Sequence, residues 1–271
     1  MALRKRTWKL IVGTHDLTEL DFAFAVRKTS KPEPNTCDIA VIGCADDTRH
    51  EFATAKSLPV KLEAGYNGDN ALLYLGEVRS GISFREGDAD WTTKLETGDS
   101  EAQHRAHISI PVGAKTDAAT VLRAIARTMG VGEGNVNTAA ALLKARGLTL
   151  HGAATVISDT AATVLTDFCR SAGLEWSIQD GRLQVLDLNK ALEQQAVLLS
   201  AEHGMVGSPK VDHKGVLEVT ALLQPDLACG RKVYMRSQEI QGLFRITDVE
   251  YKGNTAGQEW YATIRGKRLK Y

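Results

Sequence analysis

The chain has 271 residues, of which 43% are hydrophobic and 24% are charged, as in an ordinary soluble globular protein. This length is sufficient for two or three modest domains with buried cores. Lysine plus arginine and aspartate plus glutamate both total 33, so the formal net charge is zero, which argues against tight nucleic-acid binding as the main function.

Targeting and membrane signals are weak in this sequence. No apolar run reaches the roughly 20 residues that a membrane-spanning helix needs. Three of the first six residues are basic, but the apolar segment that follows, residues 8–12, is too short for a secretory signal. We therefore expect the chain to fold in the cytoplasm.

Residues 1–113 are predicted to form an all-β domain. Its clearest half-buried strand alternates Leu20, Phe22, Phe24 and Val26 with Asp21, Ala23, Ala25 and Arg27. Further strands are predicted at residues 8–12, 37–42, 60–64, 71–75, 78–84, 91–96 and 107–110, the last closing the domain. Residues 31–35 and Asn67-Gly68-Asp69 are turns. A short helix is expected at residues 46–55, capped by Asp46 or Asp47.

Residues 114–199 change to helical periodicity and predict a small α/β module. The first helix is capped by Thr116 or Asp117, ends at Gly130, and carries Val121, Leu122, Ile125 and Met129 on its apolar face. A second helix starts at Asn137 or Thr138 and ends at Gly147. After a partly extended stretch, residues 148–157, a third helix is capped by residues 158–160 and ends at Gly173. Residues 174–186 form a β-hairpin turning at Asp180-Gly181, and residues 189–199 are a linker.

Residues 200–271 are predicted to form a second domain of short strands closed by turns, as in a small antiparallel barrel or sandwich. The predicted strands carry Val216, Leu217, Val219 and Leu222, then Val233 and Met235, then Phe244 and Ile246 opposite Arg245 and Thr247, and finally Trp260, Ala262 and Ile264. The predicted breaks and turns are Gly207-Ser208-Pro209, Gln224-Pro225-Asp226, Gln241-Gly242, Gly253-Asn254 and Ala256-Gly257.

Several residue types that often form sites do not assemble into one here. The glycine-rich residues 130–135 follow a helix and lack the lysine and hydroxyl pair of a phosphate loop, so a helix end and loop is favoured. His104 and His107 are the only close pair of histidines, and no thiol lies near them to complete a zinc site. We therefore expect them to be surface or interface histidines.

Acidic clusters occur at Asp46-Asp47, at Glu86, Asp88 and Asp90, and at Asp99 and Glu101. Paired carboxylates can hydrolyse glycosides, but carboxylates in turns between strands are usually solvated, and this reading is favoured. The spacing around Asp88 and Asp90 lacks the glycine and distal glutamate of a calcium loop.

Two further residue types are assigned structural roles. Cysteines 37, 44, 169 and 229 are too scattered for a paired site and are predicted to be buried free thiols. Tryptophans 8, 91, 176 and 260 are predicted to be core or interface anchors. The basic residues 265–271 are either a solvated end or a docking strand for a neighbouring subunit.

The order and spacing of several short segments resemble those of tailed-phage baseplate hub proteins, similar to the hub of contractile tails. In the last third they are Gly204-Met205-Val206-Gly207-Ser208-Pro209, Gly215-Val216, Leu222-Leu223-Gln224-Pro225, Gly230-Arg231-Lys232-Val233, Gly242-Leu243-Phe244-Arg245-Ile246 and Gly257-Gln258-Glu259-Trp260-Tyr261. Earlier ones are Pro34-Asn35-Thr36, Leu73-Tyr74-Leu75-Gly76-Glu77-Val78, Asp90-Trp91-Thr92-Thr93-Lys94-Leu95, Gly98-Asp99, Gly173-Leu174-Glu175-Trp176-Ser177-Ile178 and Asp180-Gly181-Arg182-Leu183.

The resemblance implies a mainly β chain with an α/β insertion, in which two tube-like antiparallel β-barrel domains, residues 1–113 and 200–271, flank the α/β module at residues 114–199. It implies a homotrimeric ring with pseudo-six-fold symmetry that adapts the hexameric tail tube to the trimeric central spike. The spike is then a separate chain. The implied location is the virion tail, after assembly in the host cytoplasm.

The implied partners are other copies of the chain, the tail tube protein and the central spike protein, with tape-measure and baseplate wedge proteins as further candidates. DNA would only pass through the lumen, and no membrane insertion is expected. No catalytic, cofactor-binding or metal-binding residue is nominated, no cofactor is expected, and the chain is predicted not to be an enzyme.

Three alternatives remain open. A phage-tail cell-wall hydrolase would depend on Asp88, Asp90 or Glu101. A hub of a non-viral contractile injection system would have the same physical role as a phage hub. A nucleic-acid-binding module is the least favoured because of the balanced charge.

Overall fold

The computed structural model describes residues 5–55, 57–112, 116–145 and 155–269. Contacts within the chain divide these residues into two compact units. The first unit comprises the described parts of Met1–Lys28, Asn35–Asp99 and Glu193–Tyr271, and the second comprises those of Thr29–Pro34 and Ser100–Leu192.

The N-terminal part of the first unit is built from strands and one helix. They are β1 (Arg6–Val12), β2 (His15–Asp16), β3 (Phe22–Thr29), β4 (Thr36–Ile42), α1 (Asp46–Thr54), β5 (Pro59–Tyr66), β6 (Asp69–Phe84) and β7 (Thr92–Gly98). The predicted hairpin turn is confirmed, because Asn67 and Gly68 have φ of 57° and 87° between β5 and β6.

Two predictions in this part are wrong in detail. Helix α1 is preceded by Ala45 as its N-cap, without a side-chain cap, so Asp46 and Asp47 lie instead in the first turn, where the helix dipole favours acidic side chains. The two strands expected at residues 71–75 and 78–84 are one 16-residue strand, β6. Residues 69–77 of this strand pair with β5 and residues 77–84 pair with β7, with a register shift between Val78 and Ser80 in the second pairing.

The second unit contains helices and two small antiparallel sheets. Its elements are α2 (Glu101–Arg105), β8 (His107–Val112), α3 (Ala118–Met129), α4 (Val136–Ala145), β9 (Thr155–Thr160), α5 (Ala161–Ser171), β10 (Leu174–Gln179) and β11 (Arg182–Asp187). The strand at residues 107–110, expected to close the N-terminal domain, is β8 and pairs with β9 in a separate sheet, so that expectation is wrong. Strand alternation alone does not specify a partner, which is why this assignment failed.

Local signals in the second unit predict its elements well. Gly130 ends α3 in a left-handed conformation with φ of 70°, and Thr160 caps α5 by accepting a hydrogen bond from the Thr163 amide. Helix α4 begins at Val136, one residue before the predicted start. Its predicted end at Gly147 and the stretch at residues 148–154 lie outside the described residues.

The C-terminal part of the first unit is again made of strands. They are β12 (Val197–Leu199), β13 (Met205–Val211), β14 (Val216–Leu222), β15 (Lys232–Arg236), β16 (Gln241–Asn254) and β17 (Trp260–Arg268), with a 3-10 turn at Ala201–His203. The apolar faces predicted for the β14, β15 and β17 segments are buried, except that Val216 and Leu222 are half-buried. Strand β12 lies within the segment predicted as a linker.

Three predicted breaks in this part are wrong. Gly207-Ser208-Pro209 lies inside β13, where it forms a register shift between Val206 and Lys210. Gln241-Gly242 opens β16, and the chain reverses before it, where the Ser237 amide donates to the Ile240 carbonyl. Strand β16 also continues through the predicted loop at Gly253-Asn254, because Gly253 pairs with Trp260 of β17 and the Asn254 amide donates to the Glu259 carbonyl (2.9 Å).

The strands of the first unit form one 13-stranded sheet, and its two parts share one strand order. In the N-terminal part the order is β3-β4-β7-β6-β5-β1, and in the C-terminal part it is β13-β14-β17-β16-β15-β12. The two orders correspond strand for strand along the chain. They differ at one end, since β1 pairs with β5 in antiparallel orientation whereas β12 pairs with β15 in parallel. The fold is mainly β, and the pairing of the described strands forms no closed barrel.

Candidate functional site

Strands β3 and β16 join the two parts of the first unit, and this pairing is called the in-chain junction below. At one end the Thr255 amide donates to the Phe22 carbonyl (2.9 Å) and the Phe22 amide donates to the Thr255 hydroxyl (2.9 Å). At the other end Arg27 Nε donates to Glu250 Oε1 (3.0 Å). The residue numbers rise from Phe22 to Arg27 along β3, while those of their partners fall from Thr255 to Glu250, so the two strands run in opposite directions.

The polar end of the in-chain junction is an ion-pair cluster. Arg27 also donates to Asp38 Oδ2 of the neighbouring strand β4 (2.8 Å). The carboxylate of Asp38 and, after it, that of Glu250 raise the pKa of Arg27. All three side chains are partly exposed, so the cluster contributes orientation more than stability.

The buried side of the in-chain junction is aromatic and tightly packed. Phe24 of β3 lies edge-on to Trp260 of β17 with ring centroids 5.6 Å apart, and Trp8 lies 5.7 Å from the same ring. A Cβ atom at Gly253 of β16 would lie 2.4 Å from two carbons of the Phe24 ring. Glycine is therefore required at this position by the close approach of Phe24, and the two parts share one continuous core.

The first unit also presents two strand edges that no described strand covers. The β13 edge is the side of Met205–Val211 that faces away from β14, and the β6 edge is the side of residues 79–84 that faces away from β7. Large apolar side chains are exposed on both strands: Val206 by 39% and Val211 by 45% on β13, and Ile82 by 63% on β6. Backbone groups together with apolar side chains on an open edge are a template for pairing with another strand.

A shallow depression lies on the outer face of the sheet beside the in-chain junction. Its floor includes the small side chains of Ala23, Ala25 and Ala40. Charges of both signs surround the floor, from Asp38, Lys94, Glu96, Lys252 and Glu259. A surface of this kind has no strong preference for an anion or a cation.

The glycine-rich residues 130–135 form a helix end and a loop, as predicted. The Gly132 amide donates to the Gly181 carbonyl (2.8 Å) and the Leu183 amide donates to the Gly132 carbonyl (2.9 Å). Asn135 continues this pairing by accepting from the Val185 amide and donating to its carbonyl. The loop's polar groups therefore bind the β10–β11 hairpin.

The two neighbouring histidines do not form a pair. His104 lies on α2, where its ring contacts the Ser100 carbonyl (2.7 Å) and packs 5.3 Å from Trp176, whereas His107 is exposed on β8. Among the described residues no group of three or more histidine, cysteine or acidic side chains could hold a metal ion.

The acidic clusters differ in exposure. Asp46, Asp47, Glu86, Asp88 and Asp90 are exposed, as expected for solvated carboxylates. Asp99 is not solvated. It is only 3% exposed and accepts hydrogen bonds from the Asn35 amide (2.6 Å) and the Asn35 side chain (2.7 Å).

The cysteines and the basic C-terminal segment complete the predicted candidates. All four cysteines are free and buried, as predicted, and burial raises the pKa of Cys37, Cys44 and Cys169. Residues 265–268 belong to β17, whose two sides pair with β14 and β16, so this part is not a free docking strand. The side chains of Arg265, Lys267 and Arg268 are exposed, as the solvated reading predicted. Lys270 and Tyr271 lie outside the described residues.

The tryptophans contribute to the two cores and to the surface. Trp176 and Trp260 are 2% and 1% exposed, and Trp8 packs against the first-unit core, which confirms core roles. Trp91 is 37% exposed, with the guanidinium of Arg49 4.3 Å from its ring centroid. Within the described residues, no helix is long and apolar enough to span a membrane.

Sequence reasoning missed three functional or structural features. The exposed Ile82 lies in the strand predicted at residues 78–84, and the exposed Val211 lies in β13, which was not predicted as a strand. The open edges of both strands could be inferred only from the pairing. The burial of Arg245 (1% exposed) contradicts the predicted alternation, because its neighbours Phe244 and Ile246 on the other face of β16 are buried as well. No local signal marks the Asn35–Asp99 contact, which spans 64 positions.

Comparison with known proteins identifies a family. A family model described as "Baseplate hub gp41" matches residues 11–266. Among curated protein sequences, none matches this chain.

Solved structures share the fold at low sequence identity. A tail protein from Neisseria meningitidis MC58 aligns with a TM-score of 0.64 and 12% identity, over 97% of each chain. The 43 kDa tail protein of prophage MuSo2 from Shewanella oneidensis aligns with a TM-score of 0.62 and 10% identity, over 97% of this chain and 98% of that one. The E. coli c3393 protein, described as a component of the type VI secretion system, aligns with a TM-score of 0.61 and 9% identity, over 96% of this chain and 77% of that one.

Proposed function

This chain belongs to the baseplate hub gp41 family, and from that premise we propose that it is the tail-tip hub that adapts a six-fold tail tube to a three-fold spike. Its role is structural, within the tail of a virion. In this proposal three copies form a ring, and each copy contributes two similar segments.

The shared strand order of the two parts is the observation that carries the proposal. Six strands recur in the same spatial order in the N-terminal and C-terminal parts. Both parts contain one long strand with a register shift, between Val78 and Ser80 in β6 and between Ile246 and Asp248 in β16. Such a duplication lets one chain present the same surface twice.

Duplication resolves a symmetry mismatch in a simple way. Three chains with two equivalent segments each offer six similar faces to a hexameric tube, while the same ring keeps three-fold symmetry towards a trimeric spike. Head-to-tail contacts that close on themselves generate such rings. The in-chain junction supports this arrangement, since it already holds two segments side by side through paired strands.

We assign the ring segments to the two parts of the first unit, Met1–Lys28 with Asn35–Asp99 and Glu193–Tyr271, in place of the predicted residues 1–113 and 200–271. We propose that each segment has a tube-like barrel architecture. The partners in this proposal are other copies of the chain, the tail tube protein and the central spike protein, with tape-measure and wedge proteins as further contacts.

The outer face beside the in-chain junction is suited to a lumen through which DNA passes. Its alanine floor and the mixture of Lys94 and Lys252 with Asp38, Glu96 and Glu259 provide little net charge. A strongly basic lumen would retain DNA by neutralising phosphates, whereas a balanced one would not. We propose no reaction for this protein.

A phage-derived or bacterial injection machine is a second setting for the same role, favoured by the fold shared with a protein described as a type VI secretion component. In that setting the ring and its contacts would be unchanged. Purified particles carrying this chain would distinguish the two settings, since only a virion contains a DNA-filled head.

Light scattering coupled to size-exclusion chromatography tests the ring. We expect a species with three times the 29.4 kDa of the chain, either alone or after addition of the trimeric spike protein. Addition of the tube protein to that species is then expected to yield hexameric tube rings stacked on it. A hexamer of this chain alone would indicate a tube subunit and would contradict the adaptor proposal.

A further inference from the structure

We propose that Arg6 is a strap that fixes the β16–β17 tip, residues 255–259, and that the equivalent β6–β7 tip, residues 85–91, is free to change conformation. The two tips connect corresponding strands in the shared strand order. The strap acts within a single copy of the chain and does not depend on the ring proposed above.

The equivalence of the two tips follows from the strand registers. Each pairing, β6 with β7 and β16 with β17, has one register shift, and counting from it Thr92 of β7 and Tyr261 of β17 occupy equivalent positions. The residues before them, Trp91 and Trp260, therefore lie in equivalent places at the base of each tip. Their environments differ, because Trp260 is 1% exposed and Trp91 is 37% exposed.

Arg6 of β1 binds the backbone of the β16–β17 tip. Its guanidinium donates from Nη1 to the Gly257 carbonyl (2.7 Å) and from Nη2 to the Gln258 carbonyl (2.8 Å). The same guanidinium lies 5.6 Å from the centroid of the Trp260 ring. Trp8, on the same face of β1, lies 5.7 Å from that ring. Two charge-assisted hydrogen bonds and a cation–π contact therefore fasten the tip to β1.

The β5–β6 turn holds the strap in place. The Lys5 amide donates to Asn67 Oδ1 (2.9 Å), and the Asn67 amide donates to the Lys5 carbonyl (2.7 Å). On the other side of Arg6, the Thr7 hydroxyl donates to Asn70 Oδ1 (2.6 Å). Both neighbours of Arg6 are thereby fixed, so its side chain reaches the tip without a further loss of backbone entropy.

The β16–β17 tip is also braced beside and within itself. The Thr255 amide donates to the Phe22 carbonyl of β3 (2.9 Å). Asn254 Oδ1 accepts from the amides of Ala256 (3.1 Å) and Gly257 (2.8 Å). These contacts give the tip a single backbone arrangement, in which the two carbonyls that Arg6 binds point to the same side.

The β6–β7 tip makes polar contacts mainly with itself. Arg85 Nε donates to the Ala89 carbonyl (2.7 Å), and the Ala89 amide donates to the Glu86 carbonyl (3.2 Å). In the described part of the chain, no hydrogen bond or ion pair joins residues 86–90 to another element. All of residues 85–91 are exposed. Few buried contacts and solvated hydrogen bonds are the features of a segment that opens locally at low cost.

The difference between the tips has its origin in strand direction. Strand β1 is antiparallel to β5 and places Arg6 opposite Tyr66, next to the β5–β6 turn. Strand β12 is parallel to β15, and its last pair joins Leu199 to Met235, so β12 does not extend along β15 to Arg236. Among the described residues, β12 therefore offers no counterpart of the strap to a β6–β7 tip, either in the same chain or in a second copy.

One consequence concerns the symmetry of the proposed ring. Three fixed tips and three free tips would alternate around it. The pseudo-six-fold symmetry would then apply to the fold and not to the rigidity of the tips, and a partner that covers a free tip would have to order it. This consequence rests on the ring, whereas the strap does not.

Hydrogen exchange measured by mass spectrometry on the full-length chain tests the strap. In the wild-type chain, amides of residues 254–259 are expected to exchange at least about tenfold more slowly than those of residues 86–91, because opening the first tip breaks the contacts of Arg6. Arg6→Met keeps an aliphatic stem beside Trp260 and removes the donors. We expect it to speed exchange in residues 254–259 by about tenfold and to leave residues 86–91 unchanged.

Arg49→Met is the matched control. Arg49 lies 4.3 Å from the ring centroid of Trp91, the equivalent tryptophan, so its substitution also removes a guanidinium from an indole ring. It is expected to leave exchange in residues 254–259 unchanged. A glutamyl endopeptidase gives a second readout. It should cleave the native wild-type chain after Glu86, and cleave after Glu259 only in the Arg6→Met variant.

Three results would overturn the proposal. The first is equal exchange of the two tips in the wild-type chain, a comparison that needs no variant. The second is an Arg6→Met variant whose residues 254–259 exchange as slowly as in the wild type. The third is an equal acceleration of these residues by Arg49→Met.

A further variant and a separate readout keep the test decisive. If Arg6→Met does not fold, Arg6→Lys replaces it, because lysine keeps the charge but cannot bind both carbonyls as a planar fork. Exchange in residues 254–259 must then rise, and an unchanged rate would overturn the strap. Light scattering reports the oligomeric state independently, so a chain that forms no trimer contradicts the ring and leaves the strap in place.

Discussion

Gly253 offers the sharpest test of how the two parts of the first unit are held together. Gly253→Ala introduces a methyl group 2.4 Å from two Phe24 ring carbons and 2.9 Å from the Trp260 ring. Ordinary carbon contacts are about 3.5–4.0 Å, so the neighbours must move by about 1 Å. Overpacking of a buried site costs roughly 1–3 kcal/mol, and we expect this loss in the free energy of unfolding of the first unit.

Phe24→Ala is expected to cost roughly 3–5 kcal/mol because it removes a buried aromatic ring. In the double variant the cavity left by Phe24 accommodates the methyl group at Gly253. The two losses should therefore not add, and the double variant is expected to be more stable than their sum by roughly 1–3 kcal/mol.

Denaturation followed by tryptophan fluorescence measures these values. Trp176 belongs to the second unit, so a Trp176→Phe background restricts the signal to the first unit. The fluorescence transition is fitted for the first unit alone, because a single two-state analysis does not apply to a chain with two cores. Gly253→Ala combined with Phe52→Ala, in α1, is the control and is expected to be additive. Additive losses for Gly253 and Phe24 would refute the close packing across the in-chain junction.

Three further predictions concern single sites. Asp99→Ala leaves two buried Asn35 donors without their acceptor and is expected to destabilise the first unit by about 3 kcal/mol, so an unchanged melting temperature would contradict the observed contact. Thr160→Ala removes the cap of α5 and is expected to cost about 1 kcal/mol in a denaturant titration, with Thr160→Ser as the conservative control. Burial raises the pKa of Cys169 to about 12, so a thiol reagent at pH 8 should label it far more slowly in the native than in the denatured chain. Because the folded pKa lies above the unfolded value of about 8.5, this contribution to stability is intact below pH 8.5 and is lost as the pH rises towards 12, which pH-dependent melts would detect.

Strand positions in the first unit were predictable where alternation was strong. Phe22, Phe24 and Val26 alternate with smaller or charged residues, and they are buried as the pattern indicates. Turns were predictable where the chain needs a positive φ, as at Asn67-Gly68. These features depend on neighbours in sequence, so a single chain is sufficient to infer them.

Other features escaped prediction because they depend on distant residues. Gly207-Ser208-Pro209 has the composition of a break between strands. It nevertheless lies inside β13, because β14 pairs with β13 on both sides of the register shift between Val206 and Lys210. Asp99 lies in an acidic cluster that was predicted to be solvated, yet its carboxylate is buried and accepts hydrogen bonds from Asn35, which is distant in sequence. No candidate surface could be assigned from the sequence, since an edge is open only with respect to the pairing of all other strands.

The sequence alone determined the alternation of apolar residues, the helical middle stretch, the main turns and the resemblance of short segments to hub proteins. Each of these features depends only on residues that are close together along the chain. The tertiary structure alone decided that the two outer thirds share one strand order, that β3 and β16 join them, and that β6 and β13 keep open edges. Strand pairing is a contact between residues far apart in sequence, and a period of two specifies which face is buried without specifying the partner.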